Sequence, residues 1–424
     1  MTCAGNRDGD ETAAPLMQLP SMRIHPTSFA FTVLLGVLAS VPFCSIDISL
    51  PALAATGAAL GAPPSQVGLT MSVFMLSLAA SPLVYGPASD QYGRKPVVVF
   101  GVTLFVIGSL ACAFAQSLPE LLLCRLFQGV GAAGTMMAMA IVRDLFDGEA
   151  ARAKIARIVI AINVVTVTAP TVGAALLALG SWRFIYAAQV GVGLVLLLAL
   201  LSGFGESARL DPSGRLIPAA MVRSYLRVLT NPVCLGYILA GAAVGGTVFA
   251  YVTGSSLFFI DVVGLKPNQY GLIFSACSAA VMSGAFLDGR FGAWGISSTT
   301  VLMTGLVLSA AAATLLLAMT LAGWMPLPLV VSLLLAVALA FGLSMPNAMN
   351  ATMQPLPEIA GAVGAAAGTI QMTAGAISSG LVAILYDGRS ALSMTAVMTL
   401  CSVGALVLYL LVARPAERRL ATGH

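Results

Sequence analysis

A chain of 424 residues that is 59% hydrophobic and only 8% charged lies far from the soluble globular class, where about 25% of residues are charged. Its formal charge of +4 is too small to argue for a nucleic-acid partner. The seven cysteines stand singly with no CxxC pair, and the only histidines, His25 and His424, lie in the terminal tails. These features speak against a disulfide framework, a zinc site or a metal-dependent enzyme, and no P-loop is present. The composition predicts an all-α polytopic membrane protein that is not an enzyme and carries no cofactor.

In chain order, a polar N-terminal tail (1–28) precedes twelve apolar segments of membrane-spanning length. They run approximately 29–51, 66–88, 96–116, 119–142, 157–179, 182–204, 232–253, 268–287, 297–320, 327–349, 362–385 and 391–413. The first is too long for a signal-peptide core and lacks a small-x-small cleavage site, so it is expected to be retained. The polar stretch 205–231, with Arg209, Arg215, Arg223 and Arg227, divides the chain into six-helix halves, 29–204 and 232–413, and 414–424 forms a C-terminal tail. With both termini in the cytoplasm, sixteen of the twenty Lys and Arg residues fall on the cytoplasmic side; Arg183, Lys266 and Arg389 fall outside and Arg125 lies within a span. That asymmetry fixes the expected orientation. The halves echo each other: "PSQVGLTMS" opens the second span and "PNQYGLIFS" the eighth, and Gly86-x-x-x-Asp90 has a fainter counterpart in Gly284-x-x-x-Asp288. Parallel repeats of this kind build central binding sites in transporters.

Charges within spans are functional candidates by default, because burying an ion in the bilayer costs a few kcal/mol. Two stand out, Asp47 in the first span and Arg125 in the fourth. Both lie in the outer half at similar depth, which would let them share one cavity. Asp47 is the leading proton carrier, with an interfacial helix-end residue as the plainer reading. Arg125 either tunes Asp47 or serves as a structural donor to backbone carbonyls. Asn163, Thr166, Asn347, Asn350 and Gln371 are polar positions that a substrate could meet, and Phe43, Phe249, Tyr251, Met345 and Met372 offer apolar surface, although ordinary helix packing uses the same residues.

The stretch "GPASDQYGRKP" resembles the signature between the second and third helices of the major facilitator superfamily, G-x-x-x-D-x-x-G-R-K. "SIDISLPAL", "RLFQGVGAAG" with "AIVRDLF", and "APTVGAALLALGSWRFIY" resemble the bicyclomycin-resistance (Bcr/CflA) branch of its drug:proton antiporters, as does "AGAVGAAAGTIQ" in the second half. The resemblance covers about residues 30–413. It implies alternating access and proton-driven export of small amphipathic compounds such as drugs, from a bacterial inner membrane. An importer or facilitator of a small metabolite on the same fold is the alternative. The expected partners are a small molecule, protons and the lipid bilayer. The chain is expected to act as a monomer, since two joined halves complete the pathway.

The resemblance further implies that Gly86, Asp90, Gly93, Arg94 and Lys95 form a cytoplasmic gate, with Asp144 and Glu206 in the same charge network. Asp90 would meet the start of the eleventh span near Gly361–Gly364 when the transporter opens outward. A loop that only sets topology is the competing reading. Arg125 matches the arginine that the family associates with proton coupling. Pro170 and Gly173 match the helix-five antiporter motif in part, with Ala174 in place of a glycine; a generic packing kink would account for them as well. Some multidrug relatives carry a second acid two turns before Asp47, where "LLGVLAS" here has none.

Overall fold

The computed structural model describes residues 24–207 and 218–417. The outermost tails, and Arg209 and Arg215 of the linker, lie outside the described residues. Among the described residues, twelve helices have the length and composition to cross a membrane: α1 (Phe29–Leu60), α2 (Pro64–Tyr92), α3 (Arg94–Phe114), α4 (Leu118–Leu145), α5 (Gly148–Leu177) and α6 (Arg183–Gly203) in the first half. The second half holds α7 (Pro232–Val262), α8 (Pro267–Ala293), α9 (Ser298–Leu321), α10 (Leu327–Met353), α11 (Pro357–Ile384) and α12 (Leu392–Glu417). A separate linker helix spans Pro218–Thr230.

Helix starts follow ordinary capping chemistry. Pro64, Pro232 and Pro267 occupy first-turn positions that need no N–H donor. Ser117, Asn231 and Ser297 accept hydrogen bonds from first-turn amides. Several helices outrun their apolar stretches, α5 beginning at Gly148 where hydropathy suggests 157. Helical geometry continues beyond the hydrocarbon region, where polar side chains are tolerated and hydropathy no longer registers it.

Packing repeats between the halves. In the first, α1 packs on α5, α2 on α4, and α3 on α4 and α6; in the second, α7 packs on α11, α8 on α10, and α9 on α10 and α12. Each pair has its counterpart six helices later. The halves join through α2 with α11 and α5 with α8, which are themselves equivalent contacts. Glycines allow close crossings within each half: a Cβ on Gly101 would press on Gly134 across the α3–α4 contact, and one on Gly284 would press on Gly342 across the α8–α10 contact.

The halves meet toward the end of the bundle away from the termini and linker. There Ser72 of α2 donates to Ser379 of α11 at 3.0 Å, Ser275 of α8 donates to the Val167 carbonyl of α5 at 2.6 Å, and Ser256 of α7 donates to the Leu50 carbonyl of α1 at 2.6 Å. Toward the linker end, by contrast, a Cβ on Gly86 of α2, or on Gly361 or Gly368 of α11, would meet nothing within 4 Å. The hydrogen bonds from Ser72, Ser275 and Ser256 between the halves thus lie toward the far end.

Candidate functional site

At the linker end of the first half, Arg94 lies at the centre of a compact charge cluster. Gly93 has φ +97° and ψ 160°, a backbone conformation open to glycine, and it turns the chain from α2 into α3. Arg94 Nη1 pairs with Asp90 at 2.7 Å and also donates to the Ser89 hydroxyl, while Nε pairs with Asp144 of α4 at 2.8 Å. Glu206, beyond α6, accepts from the backbone amides of Arg94 at 2.7 Å and Lys95 at 3.1 Å. Its carboxylate therefore caps the positive end of the α3 dipole. Lys95 Nζ reaches the Phe204 carbonyl. The structure thus gathers Asp90, Arg94, Lys95, Asp144 and Glu206 around the Gly93 turn, tying α2, α3, α4 and α6 together. Asp90 pairs inside its own half, with its side chain 58% exposed, rather than with the start of α11.

Arg125 is fully buried. Its guanidinium donates to the Ser45 carbonyl (3.3 Å), the Ser49 hydroxyl (3.4 Å) and Gln128 Oε1 (2.8 Å), and contacts the Met71 sulfur. It lies 4.6 Å from the Phe74 ring centroid and 5.8 Å from that of Tyr186. Gln128 extends the network, donating to Ser109 at 2.8 Å and Gln189 at 2.6 Å. Backbone oxygen, amide oxygen and aromatic faces take the place of a carboxylate. One cation thereby binds α1, α2 and α6 to α4, and through Gln128 reaches α3. Gln128 and Gln189 were not foreseen, although a glutamine three residues after an intramembrane arginine is a readable signal.

Asp47 does not join this network. Arg125 holds Ser45 and Ser49, which share one face of α1, and Asp47, midway between them, lies roughly 200° around the helix. The two therefore lie on opposite sides of α1, and the contacts of Arg125 do not include Asp47, contrary to what depth alone suggests. Asp47 is 6% exposed and has no ion-pair partner among the described residues. The stretch of α1 just beyond it meets the other half, where the Leu50 carbonyl accepts from Ser256 of α7. Tyr251 of α7 stacks on Phe274 of α8 with centroids 5.7 Å apart, and its hydroxyl is buried beside the Cys277 thiol. Tyr270 shares a 3.1 Å hydrogen bond with Ser255. The stretch beside the seam thus carries a buried acid with no ion-pair partner among the described residues.

Pro170 and Gly173 lie beside this seam. A Cβ on Gly173 would run into the Ile48 carbonyl of α1, and one on Gly271 of α8 would sit 3.4 Å from the Pro170 carbonyl. Proline leaves the Thr166 carbonyl without its usual helical donor, and Ser275 reaches the next carbonyl, Val167, from the other half. The weaker substrate candidates scatter. Phe43 and Asn163 are half-buried, and Asn163 donates to the Val159 carbonyl of its own helix at 2.9 Å. Gln371 contacts the Met345 sulfur at 3.4 Å and packs on Gly245. Asn347 is 5% exposed and donates to Asp288 at 2.6 Å. It braces α8 against α10 rather than facing a cavity.

Comparison with known proteins agrees with this architecture. The Major Facilitator Superfamily model matches residues 35–379. The chain is 29% identical to the uncharacterized MFS-type transporter YdgK of Bacillus subtilis, covering 90% of this chain and 94% of that one. It is 25% identical to the bicyclomycin resistance protein homolog of Haemophilus influenzae (94% and 100% covered) and 29% identical to multidrug resistance protein D of Escherichia coli (85% and 91% covered). Among solved structures, a bacterial homolog of the human lysosomal transporter Spinster, inward-facing and occupied, superposes with a TM-score of 0.73 at 15% identity, covering 93% of this chain and 97% of that one. The xylose transporter XylE from E. coli, partially occluded and inward open, gives 0.71 at 13% identity, with 91% and 97% covered; at such identities the likeness shows the fold alone. Twelve spans in two equivalent halves, the Gly93–Arg94 turn and the family match lead to one conclusion: the chain belongs to the Major Facilitator Superfamily and is a multi-pass membrane transporter, not an enzyme.

Proposed function

We propose that this transporter exports small amphipathic compounds in exchange for protons, with Asp47 as the proton-carrying residue. The observation that carries the reading is the placement of Asp47, buried and without an ion-pair partner among the described residues, three residues before the Leu50–Ser256 contact between the halves. An acid there is exposed or enclosed as the halves rock, so its proton exchange is tied to which end is open. The names of the bicyclomycin- and multidrug-resistance relatives support export of antimicrobial-like compounds. On this reading the linker end faces the cytoplasm of a bacterial inner membrane, the protein works as a monomer, and the proton gradient supplies the energy. Arg125 acts on Asp47 only indirectly, by fixing α1.

Substrate-induced proton release from inverted membrane vesicles tests the reading, using a panel of amphipathic antimicrobials with wild type and Asp47→Asn. Release that depends on the wild-type protein and disappears in the variant is the expected result. Release that survives keeps exchange and removes Asp47 from it. No release for any compound, with the protein folded, favours a metabolite facilitator.

A further inference from the structure

The linker helix carries an apolar arc broader than its contact with the bundle. Val228 is fully buried and packs with Leu356, Val363, Ala366 and Ala367 of the α11 region, and Tyr225 lies beside it. Around the helix from Val228, at roughly 100° per residue, come Tyr225, Leu229 and Leu226, then Arg223 and Arg227 on the remaining side. Leu226 and Leu229 are 55% and 40% exposed. The helix ends at Thr230, Asn231 caps α7, and Pro232 begins the next span. Its last turn therefore lies where the chain enters the bilayer. Arg227 pairs with Glu358 at 2.6 Å at the start of α11, and both side chains are about half exposed.

We propose that this helix is an anionic-phospholipid site, with Leu226 and Leu229 seated among the acyl chains and Arg223 and Arg227 on the headgroup phosphate. An uncovered apolar edge alongside arginines, at headgroup depth, is the pattern of an interfacial amphipathic helix. The lipid phosphate competes with Glu358 for Arg227, so the anionic lipid content of the membrane sets how firmly the linker grips the start of α11. The occupant is a lipid rather than a free anion because the leucine edge has no use for inorganic phosphate.

Native mass spectrometry of the full chain, released from phosphatidylglycerol–phosphatidylcholine nanodiscs, tests this directly. Wild type is expected to retain phosphatidylglycerol preferentially, and each of Arg223→Gln and Arg227→Gln to lower the preference about fivefold, corresponding to about 1 kcal/mol per basic residue. Glu358→Gln, which removes the competitor, is expected to raise it. Excess inorganic phosphate should leave the ratio unchanged. Equal retention of both lipids by wild type, or an unchanged ratio in the Arg223→Gln/Arg227→Gln variant, overturns the proposal. So does a loss in Glu358→Gln, which would make the ion pair a structural brace, or displacement by inorganic phosphate.

Discussion

Ser72 on α2 and Ser379 on α11 belong to opposite halves, yet their hydroxyl oxygens are 3.0 Å apart, and Ser379 also shares a 2.6 Å hydrogen bond with Thr253 on α7. The neighbouring surface is small enough for this approach, since a Cβ on Gly68 would press on Ala383. If the halves separate at the far end during transport, this pair must part. Replacing both serines with cysteine places two thiols within reach of a disulfide. Oxidising the Ser72→Cys/Ser379→Cys variant should lower transport at least tenfold, and a reductant should restore it, while each single variant is unaffected. Transport that continues in the demonstrably cross-linked protein would mean that the far end does not open.

The Gly93 turn makes a separate prediction about stability. At φ +97° and ψ 160°, a residue with a Cβ is strained by about 1–3 kcal/mol, and here the added atom also meets the Glu206 carboxylate. Gly93→Ala should therefore destabilise the protein by at least that amount. Glu206→Gln keeps an oxygen near the α3 amides but removes the charge that complements the helix dipole, at a cost of about 1 kcal/mol. Thermal unfolding in detergent measures both. A Gly93→Ala variant as stable as wild type would show that the turn relaxes without strain.

Span number and the Gly93–Arg94 cluster were legible because both leave local signals. Long apolar runs mark helices, Gly93 before two cations marks a turn, and the resemblance of the surrounding signature drew in the acids around it. The relation of Asp47 to Arg125 was not legible from depth alone, which places both in one layer of the membrane but ignores rotation about the helix axis. Ser45 and Ser49, four apart, were the missed clue that one face of α1 was already committed to a buried donor. Lys154 shows the same limit. Charge distribution counts it as a cytoplasmic lysine, but it is 5% exposed, donating to the Pro26 carbonyl at 3.0 Å and Thr32 at 2.8 Å. Serines at the seam carried no signal at all, since most intramembrane hydroxyls bond their own helix.

Asp387, in the turn between α11 and α12, provides a pH test. Its carboxylate accepts from the amides of Arg389 (2.9 Å) and Ser390 (3.0 Å) and from the Ser390 hydroxyl (2.9 Å). These donors, the Arg389 amide foremost, hold its carboxyl below the usual carboxylate range. A depressed value means that the turn gains stability above the unfolded pKa of about 3.9 and loses it as pH falls through the folded one. Hydrogen exchange at Arg389 and Ser390, corrected for intrinsic rates, should show constant protection from about pH 8 to 5 and a fall below about pH 4. Asp387→Asn should weaken protection throughout. Protection that persists in acid would rule out the anion as the turn's organiser.

Arg125 separates a charge from a scaffold. Lysine preserves the positive charge but cannot hold Gln128, Ser49 and the Ser45 carbonyl from one planar group while lying against Phe74. Removing those contacts leaves Gln128 and the Ser45 region partly unpaired in a dry interior, at about 1–3 kcal/mol for each lost partner. Arg125→Lys is therefore expected to unfold at a lower temperature and to transport at least tenfold more slowly, without shifting the pH dependence of the activity that remains. Asp47→Glu should behave oppositely, keeping the fold and moving the pH profile. If Arg125→Lys instead retained wild-type stability and shifted the pH profile, the guanidinium would be acting on Asp47 through its charge, and the opposite faces of α1 would not insulate the two residues.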